Sequence, residues 1–578
     1  MQTLSGINTY SGATTINAGV LEVDGSIAAS NLTTVTSGSA LTGTGTVGAT
    51  QLNAGSLLVP GNAANPLGAL AVSGNLAFAS GALYLVQVSG TSASNTTVTG
   101  TAALGGNVTV DVLTRLTQKT TYTILTSSGL NNTTFGSVNL LIANNFALNP
   151  ILTYAGGDVF LTLAPGLLSP LLPGNANANQ TKVAGAIDTG ILAGNSLSNA
   201  FSAIFNLSGA GLLNGLTQIS GETATGSQQT TFDAMGQFMG LLTDPFMNRT
   251  GGASLPGANG YADEALGYAA NRRTDAFAMV AKAPPTFEQH WSVWAAGFGG
   301  SQSTDGNGAV GSNSTTSNIA ATAVGADYLI SPTTIAGFAL AGGGTSFSVA
   351  NGGTGRSDLF QAGAYLRHTD GPAYISAALA YGWQDITTNR TVTVAGIDQP
   401  RAEFNANAYS GRLEGGYRLV TPWNGGFVTP WNGGFGITPY AAAQFVTFDL
   451  PAYAEQAIVG TNNFALGYNA KDVTDTRTEL GIRTDKSWAL ANGILTLRGR
   501  FAWAHDFDPD RSIAATFQTL PGASFVVNGA AQAADSALNT ASIEMKWRNG
   551  WSAAATFEGE FSNVTRSYAG KGVVRYAW

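Results

Sequence analysis

The chain has no cysteine among its 578 residues. This absence excludes disulfide bonds, thiolate nucleophiles and cysteine-ligated zinc or iron–sulfur centres. Histidine is nearly absent as well. His290, His368 and His505 are too scattered along the sequence to indicate a metal site or a catalytic triad. The sequence therefore predicts no catalytic, metal-binding or cofactor-binding residues.

Charge is also scarce: 10% of the residues are charged, the formal net charge is -8, and the pI is about 4.9. No run of lysine or arginine is available to neutralise phosphates, which argues against nucleic-acid binding. No stretch of about 18 uncharged apolar residues occurs, which excludes a transmembrane helix. Any crossing of a membrane must therefore use β-strands.

Glycine, by contrast, is abundant, with 75 residues. A chain of this length predicts two or three domains. In residues 1–165, short apolar strands follow glycine turns, and longer strands from about Thr101 resemble a terminal cap. The turn glycines recur about every 20 residues, a suitable rung length for a solenoid: Gly19, Gly38, Gly55 and Gly81. The pattern predicts a parallel β-helix.

Between residues 166 and 285 the apolar period lengthens from two to nearer 3.6, which predicts a helical linker. The last predicted helix, Tyr261–Lys282, ends at a Pro-Pro pair directly before the next strand. Shorter helices are expected upstream, at residues 181–191, 196–205, 211–219 and 232–242. The three predicted domains are then residues 1–165, 166–285 and 286–578.

From Trp291 onward, strands of ten or more residues alternate apolar and polar side chains, as the wall of an outer-membrane β-barrel requires. Twelve antiparallel strands are expected. Lys571 and Arg575 should face the lumen opposite Glu558 and Glu560. The complete predicted lumenal set is Arg477, Glu479, Arg483, Arg498, Arg500, Glu544, Lys546, Glu558, Glu560, Lys571 and Arg575.

A soluble β-sandwich also has alternating strands and is the competing interpretation. Its buried apolar face is seldom paired with a face so rich in ionised groups, whereas a barrel lumen is wet and polar. Short turns also alternate with long connections, which fits periplasmic turns and outer loops. The long connections are expected near residues 304–317, 388–402, 451–473 and 507–536. Both features favour the barrel.

The segments GVLEVDGSI, WSVWAAGFGG, RFAWAHDFDPD and SYAGKGVVRYAW carry a family resemblance. Over nearly all its length, the chain resembles a monomeric (type Va) autotransporter. The resemblance implies a twelve-stranded outer-membrane barrel, an α-helix in its pore and a β-helical passenger outside the cell. By this likeness Tyr261–Lys282 is the pore helix, with Arg272 and Arg273 available to lumenal glutamates. A linker helix outside the pore is the alternative.

The resemblance also implies function. The barrel would anchor the chain, help to translocate its passenger and display that passenger, which we expect to be adhesin-like and not an enzyme. The implied partners are outer-membrane lipid, the barrel assembly machinery, periplasmic chaperones and a host or cell-surface ligand. The outward residues of the last strand resemble the assembly signal of such barrels: Val574, Tyr576 and Trp578.

Two other functions remain open. The barrel could anchor an enzymatic passenger, such as a hydrolase, encoded upstream, or it could conduct solutes. The chain begins without the basic and apolar regions of a signal peptide, so we expect an upstream portion.

Two further motifs receive structural interpretations. GTGTVG, residues 43–48, fits a dinucleotide-binding pattern, but no helix follows it, so we predict turn glycines. Asp506, Asp508 and Asp510 crowd one outer connection, where we favour a solvated acidic loop over weak calcium binding.

Overall fold

The structure, a computed structural model, describes residues 1–141, 145–244, 290–421 and 435–578. The chain forms two compact units. The first comprises Met1–Pro173, Ala184–Leu212 and Leu520–Ala523. The second comprises Gly174–Val183, Leu213–Thr519 and Ser524–Trp578. In the described ranges, no helix is both long enough and apolar enough to cross a membrane.

Three sheets of parallel strands build the first unit, and each rung contributes one short strand to each sheet. The first sheet contains Gln2–Leu4, Gly19–Val23, Ser39–Gly43, Leu57–Pro60, Leu83–Ser89, Asn107–Val112 and Val138–Leu140, with Ser92–Ala93 antiparallel at Leu83–Ser89. The second contains Ser26–Ile27, Thr46–Val47, Ala69–Val72, Asn95–Val98 and Thr120–Thr126. The third contains Thr14–Ile16, Thr33–Val35, Thr50–Leu52, Leu76–Phe78 and Ala102–Leu104. The predicted parallel β-helix is confirmed.

The core of the β-helix follows from strand geometry, because alternate side chains of each strand point inward. Leu21, Leu41 and Leu58 occupy the same register position on successive rungs and are buried in one apolar stack. Burying a leucine side chain stabilises the fold by about 1.5–3 kcal/mol. A rung too short to fold alone is thus stabilised by its neighbours.

Glycine serves two purposes in the rungs. The four predicted turn glycines adopt left-handed φ angles, for example 75° at Gly19 and 85° at Gly81, where other residues are strained. Gly45, within GTGTVG, has a different role. A Cβ atom there would lie 2.0 Å from the Gly25 carbonyl oxygen on the neighbouring rung. Glycine is therefore needed for close stacking of the rungs.

An antiparallel hairpin ends the second sheet. Thr120–Thr126 pairs in parallel with Asn95–Val98 and antiparallel with Asp158–Pro165. Asp158–Pro165 in turn pairs antiparallel with the preceding strand, Ala147–Ala155. The inward side chains of Asp158–Pro165 are fully buried: Val159, Leu161 and Leu163. The hairpin thus covers the last rung of the solenoid.

In the part of the chain that the structure describes, four α-helices follow the β-helix. They are α1 (Ala178–Leu192), α2 (Asn199–Ile204), α3 (Gly209–Ile219) and α4 (Thr225–Leu242), with 3₁₀ helices at Ser169–Leu171 and Glu222–Ala224. α4 begins at Thr225 rather than at the expected residue 232, because its first two turns are small and polar and show no apolar period. The predicted helix Tyr261–Lys282 lies outside the described residues.

The second unit contains a closed ring of twelve antiparallel strands. They are β1 (Trp291–Thr304), β2 (Thr315–Ser331), β3 (Thr334–Val349), β4 (Gly353–Asp370), β5 (Ala373–Arg390), β6 (Pro400–Tyr417), β7 (Phe435–Leu450), β8 (Lys471–Leu490), β9 (Gly493–Asp506), β10 (Asp535–Trp547), β11 (Trp551–Phe561) and β12 (Thr565–Ala577). β1 pairs with both β2 and β12, which closes the ring. Leu419–Thr421 adds to β7, and Gln456–Ala457 adds to β6. The predicted barrel is confirmed.

The outer wall of the ring is apolar. On β11, Trp551 and Phe557 point outward and are 46% and 55% exposed, whereas Ser552 and Thr556 point inward and are buried. A water-soluble sandwich would bury such aromatic side chains. Their exposure fits a wall solvated by lipid.

The two ends of the barrel differ in their connections. One end, here called the long-loop end, carries connections 305–314, 391–399, 451–470 and 507–534. The other, the turn end, carries connections 332–333, 371–372, 491–492 and 548–550. Two further connections at the long-loop end, residues 350–352 and 562–564, are short, so long and short connections do not alternate strictly.

Two connections at the long-loop end fold into an additional small sheet. Its antiparallel strands are Tyr453–Ala454, Leu466–Tyr468, Ser512–Phe517 and Ser524–Asn528. Arg390, at the end of β5, binds the Glu455 carboxylate through Nε at 2.8 Å and Nη2 at 2.6 Å. Arg390 also donates to the carbonyl oxygen of Gln218, at the end of α3, at 2.9 Å. These connections are therefore folded and contain a buried ion pair, unlike the plain loops that the sequence predicted.

Candidate functional site

Helix α4 lies inside the barrel lumen. Ser317 on β2 donates to the Asp233 carboxylate at 2.5 Å, and Gln384 on β5 donates to Thr231 at 3.0 Å. The helix also packs against β3, β4, β6 and β7. Neighbours on this many strands enclose α4 within the ring.

Glycines on both helix and wall permit the close packing of α4. A Cβ atom on Gly226 of the helix would lie 2.3 Å from the Phe347 ring on β3. A Cβ atom on Gly363 of β4 would lie 2.5 Å from Leu242. Because the wall surrounds the helix, α4 has no single apolar face.

The direction of α4 sets the path of the chain through the barrel. At its N-terminal side, Glu222 accepts hydrogen bonds from the Asn313 backbone N–H at 2.5 Å and side-chain amide at 2.6 Å, in a connection of the long-loop end. Beyond its C-terminus, Asp244 binds Lys571 on β12 at 2.7 Å. β1 then starts at the turn end. The chain therefore enters the lumen from the long-loop end, and α4 runs in the direction of the turn end.

The predicted pore helix Tyr261–Lys282, with Arg272 and Arg273, lies outside the described residues. Within the described ranges, the helix in the lumen is α4. Contacts of Arg272 and Arg273 with lumenal glutamates remain a prediction.

A network of three arginines and two glutamates lines the middle of the lumen. Arg412 binds Glu479 at 2.8 Å and Glu414 at 3.0 Å. Arg483 binds Glu414 at 2.7 Å, and Arg500 lies 3.7 Å from Glu479. Burial of these charges is costly, and their mutual pairing offsets that cost. The structure thus joins the predicted residues Glu479, Arg483 and Arg500 through two residues that the sequence analysis did not identify.

A second group of charges lies nearer the long-loop end. Arg477 binds Glu560 at 2.6 Å. Lys571 binds Glu558 at 3.0 Å as well as Asp244 at 2.7 Å, so it ties the wall to the residue that follows α4. These contacts place the predicted partners Lys571 and Glu558 opposite each other.

Three predicted lumenal residues lie nearer the turn end. Arg498 forms an ion pair with Glu544, and Lys546 lies exposed near the end of β10. The expectation that Arg575 faces a glutamate is wrong. It binds Asp327 on β2 at 3.3 Å, because β12 lies beside β1 and the side chains of β2 reach across that single strand.

Sequence reasoning missed the acidic and basic residues of β2, β4 and β6, namely Asp327, Arg367, Arg412 and Glu414. A usable signal was present. Leu413, between Arg412 and Glu414, points outward and is 53% exposed, so the alternation that identified Glu558 also applies to β6.

The acidic connection after β9 differs from the expected solvated loop. Asp506 is buried, and its carboxylate lies 3.7 Å from Arg477. Asp508 and Asp510 are exposed, and their carbonyl oxygens accept hydrogen bonds from Arg511. No group of three or more His, Asp or Glu side chains within the described part of the chain is placed to hold a metal ion.

The predicted assembly signal lies on the outer wall beside the seam of the ring. Val574 and Trp578 are 47% and 51% exposed, and the Tyr576 ring stacks on Trp578 with centroids 5.8 Å apart. Their strand, β12, pairs with β1 from Ser292 to Thr304. These side chains are accessible from the membrane.

Two families match this chain. The autotransporter beta-domain matches residues 293–558, and the passenger-associated-transport-repeat matches residues 1–23. A curated relative, an extracellular serine protease of Serratia marcescens, is 26% identical over 579 residues. The alignment covers 94% of this chain and 52% of that protein, so the chain spans about half the length of the curated relative it matches.

Several solved structures have a similar fold. The translocator domain of the autotransporter NalP from Neisseria meningitidis is 16% identical with a TM-score of 0.39, over 55% of this chain and 97% of that one. The beta domain of the Bordetella autotransporter BrkA is 19% identical with a TM-score of 0.37, over 50% and 100%. The transport unit of AIDA-I from Escherichia coli is 17% identical with a TM-score of 0.35, over 52% and 94%.

Proposed function

This chain is an autotransporter with its β-domain in the outer membrane and its passenger at the cell surface, and from that premise we propose how its parts work together. The barrel anchors the chain, helps its own passenger to cross and then holds it outside. The observation that carries this proposal is α4, whose N-terminal side lies at the long-loop end of the lumen. The chain therefore passes into the lumen from the end that carries the long loops.

For the passenger, we propose an adhesin-like role toward a host or cell-surface ligand. The support is the β-helix itself, since stacked rungs give an extended, regular surface of the kind that solenoids use for binding. We further propose that the barrel assembly machinery and periplasmic chaperones handle the chain before insertion. Val574, Tyr576 and Trp578 on the outer wall are the proposed recognition signal for that machinery.

A second candidate is the anchor of an enzymatic passenger. The extracellular serine protease that matches this chain favours it, because the chain corresponds to about half of that protein. In this alternative a hydrolase domain precedes residue 1 and is displayed by the same barrel. Labelling the surface-exposed passenger of the source cells with a serine-directed fluorophosphonate separates the candidates. A labelled band would favour the enzyme.

The export proposal is tested with outer membranes of cells that express residues 1–578 behind an added signal peptide. The unboiled barrel should migrate faster on a cold gel than the boiled one. Protease added to intact cells should remove the β-helix and spare a barrel fragment that still contains α4. Cells with permeabilised outer membranes serve as the control for access from the turn end. A soluble protein without a mobility shift would contradict the proposal.

A further inference from the structure

We propose that the lumen near the turn end contains an anion-binding site centred on Arg367, which takes a carboxylate or another small oxyanion. Arg367 lies near the end of β4, points inward and is 7% exposed. Its Nε and Nη1 atoms are buried and donate to no acceptor within the described residues. A buried arginine with two unused donors is unusual and indicates a ligand.

The surrounding charges favour an anion. Within the described ranges, the other arginines of this part of the lumen form ion pairs with carboxylates. Arg412, Arg483, Arg498 and Arg500 share three glutamates, Glu414, Glu479 and Glu544, and Arg575 pairs with Asp327. The positive charge of Arg367 is therefore not matched by the wall.

Tyr374 on β5 fixes the orientation of the Arg367 side chain. The guanidinium carbon lies 4.0 Å from the centroid of the Tyr374 ring, and the Tyr374 hydroxyl donates to Glu414 at 2.8 Å. Stacking on a ring uses the face of the guanidinium. The N–H groups in its plane stay available for the two-pronged hydrogen bonding that arginine gives to carboxylates and phosphates.

A second arginine borders the same ring. On β8, the Arg483 Nη1 atom lies 3.5 Å from the Tyr374 hydroxyl, and both Nη1 and Nη2 bind Glu414. An anion bound at Arg367 would therefore lie within the field of a second guanidinium. This arrangement favours oxyanions over neutral ligands.

Arg367 lies beyond the last described turn of α4. The last turn of the helix, at Leu242, contacts the wall at Gly363. Arg367 lies four residues farther along β4, roughly 13 Å toward the turn end at the usual rise of a strand. Within the described residues, the proposed anion site therefore lies past α4 on its turn-end side.

The test measures binding of inorganic phosphate to the purified full chain folded in detergent. The unfolding midpoint is recorded as phosphate replaces chloride at constant ionic strength. We expect phosphate to raise the midpoint of the wild type by several degrees and to leave Arg367→Gln unchanged. The matched control is Arg356→Gln, which removes an exposed arginine from the outward side of the same strand. It should respond like the wild type.

Arg367→Lys keeps the charge but loses the planar donors, so its phosphate response should be weaker than that of the wild type. This variant decides the question if Arg367→Gln does not reach the heat-modifiable folded form. A wild type that does not respond, or variants at Arg367 that respond as the wild type does, would overturn the site.

Pulse–chase labelling of passenger export identifies the source of the anion. If Arg367→Gln slows the appearance of the passenger at the surface several-fold relative to Arg356→Gln, the site serves carboxylates of the polypeptide in transit. If export keeps its rate while the phosphate response is lost, the ligand is a free anion. Both outcomes support the site and distinguish its two possible occupants.

Discussion

At the scale of single residues, the stability of the lumen depends on buried ion pairs such as those of Glu414. Glu414 accepts hydrogen bonds from Arg412 at 3.0 Å, Arg483 at 2.8 Å and Tyr374 at 2.8 Å. Glu414→Gln leaves two buried guanidinium groups short of negative charge, so we expect a loss of about 3–5 kcal/mol. The measurement is the temperature at which the fast-migrating band converts to the slow one.

The control for this variant is Glu403→Gln on the same strand, β6. The Glu403 side chain is 61% exposed where it pairs with Arg401, and such exposed pairs contribute about 0–1 kcal/mol. Equal conversion temperatures for the two variants would show that the buried network does not stabilise the barrel.

In the β-helix, Tyr84 is a buried polar residue whose hydrogen bonds should stabilise the fold. It is fully buried, with its hydroxyl 3.0 Å from Thr96 Oγ1 and donating to the Ile124 carbonyl oxygen. Tyr84→Phe removes these hydrogen bonds but keeps the ring, at an expected cost of about 1–3 kcal/mol. The exposed control Tyr10→Phe should change stability by less than about 0.5 kcal/mol.

Pulse proteolysis in urea measures the unfolding of the β-helix in these variants. All ten tryptophans lie at or beyond residue 291, so tryptophan fluorescence reports the barrel separately in the same sample. A lower urea midpoint in Tyr10→Phe than in Tyr84→Phe would contradict the assignment.

Tyr84 should also make the stability of the β-helix depend on pH. Burial raises the pKa of Tyr84 above its ordinary value of 10.0, because the charged phenolate is desolvated in the core. Its contribution to stability is therefore complete below pH 10 and falls by about 1.4 kcal/mol per pH unit above it. Since phenylalanine does not titrate, the urea midpoints of wild type and Tyr84→Phe should converge above pH 10. A constant difference between pH 8 and pH 11 would exclude this titration.

At the scale of elements, the position of α4 is set by contacts of small residues. The Phe347 ring lies between Gly226 on α4 and Gly355 on β4, where added Cβ atoms would approach it to 2.3 and 2.2 Å. Gly226→Ala should displace the helix at a cost of about 1–3 kcal/mol and increase leakage of bulky antibiotics into cells. Gly236→Ala is the matched control, since its Cβ atom meets nothing within 4 Å and alanine favours helix formation. Greater leakage in the control than in Gly226→Ala would refute this role.

Whether an element could be predicted from the sequence depends on the environment, lipid, water or protein, that surrounds it. The strands β1–β12 were found because lipid outside and a polar lumen inside impose a strict alternation, as on β11. α4 was only partly found, since a helix surrounded by wall has no amphipathic stripe. The small sheet of the long-loop end was missed for a related reason. Its strands of two to six residues are too short to show a period.

At the scale of the whole molecule, both units alternate with period two, but they reverse the direction of the apolar side chains. In the β-helix these point inward, as Leu41 does, and in the barrel they point outward, as Phe557 does. Strand length separates the two: Ser39–Gly43 has 5 residues, whereas β8 has 20. Alternation over long strands predicted the barrel, whereas glycine turns that recur about every 20 residues predicted the β-helix. The partners of individual charges, such as Arg575, could not be predicted, because they depend on register between strands.

If each unit has its own core, a defect in the terminal hairpin of the β-helix should leave the barrel intact. Leu161 is fully buried in that hairpin, opposite Leu152, and Leu161→Asp would bury a charge without a partner. We expect Leu161→Asp cells to display a passenger that mild protease degrades, while the barrel still shifts on a cold gel.

Ile151→Asp makes a comparable substitution on the other strand of the hairpin, where Ile151 is 52% exposed, and it should leave the passenger resistant to protease. Equal resistance of the two variants would show that the hairpin does not protect the solenoid. Loss of the barrel in Leu161→Asp would instead show that the barrel cannot assemble on a chain whose passenger does not fold. The pair of variants thus tests whether display and anchoring are energetically separate.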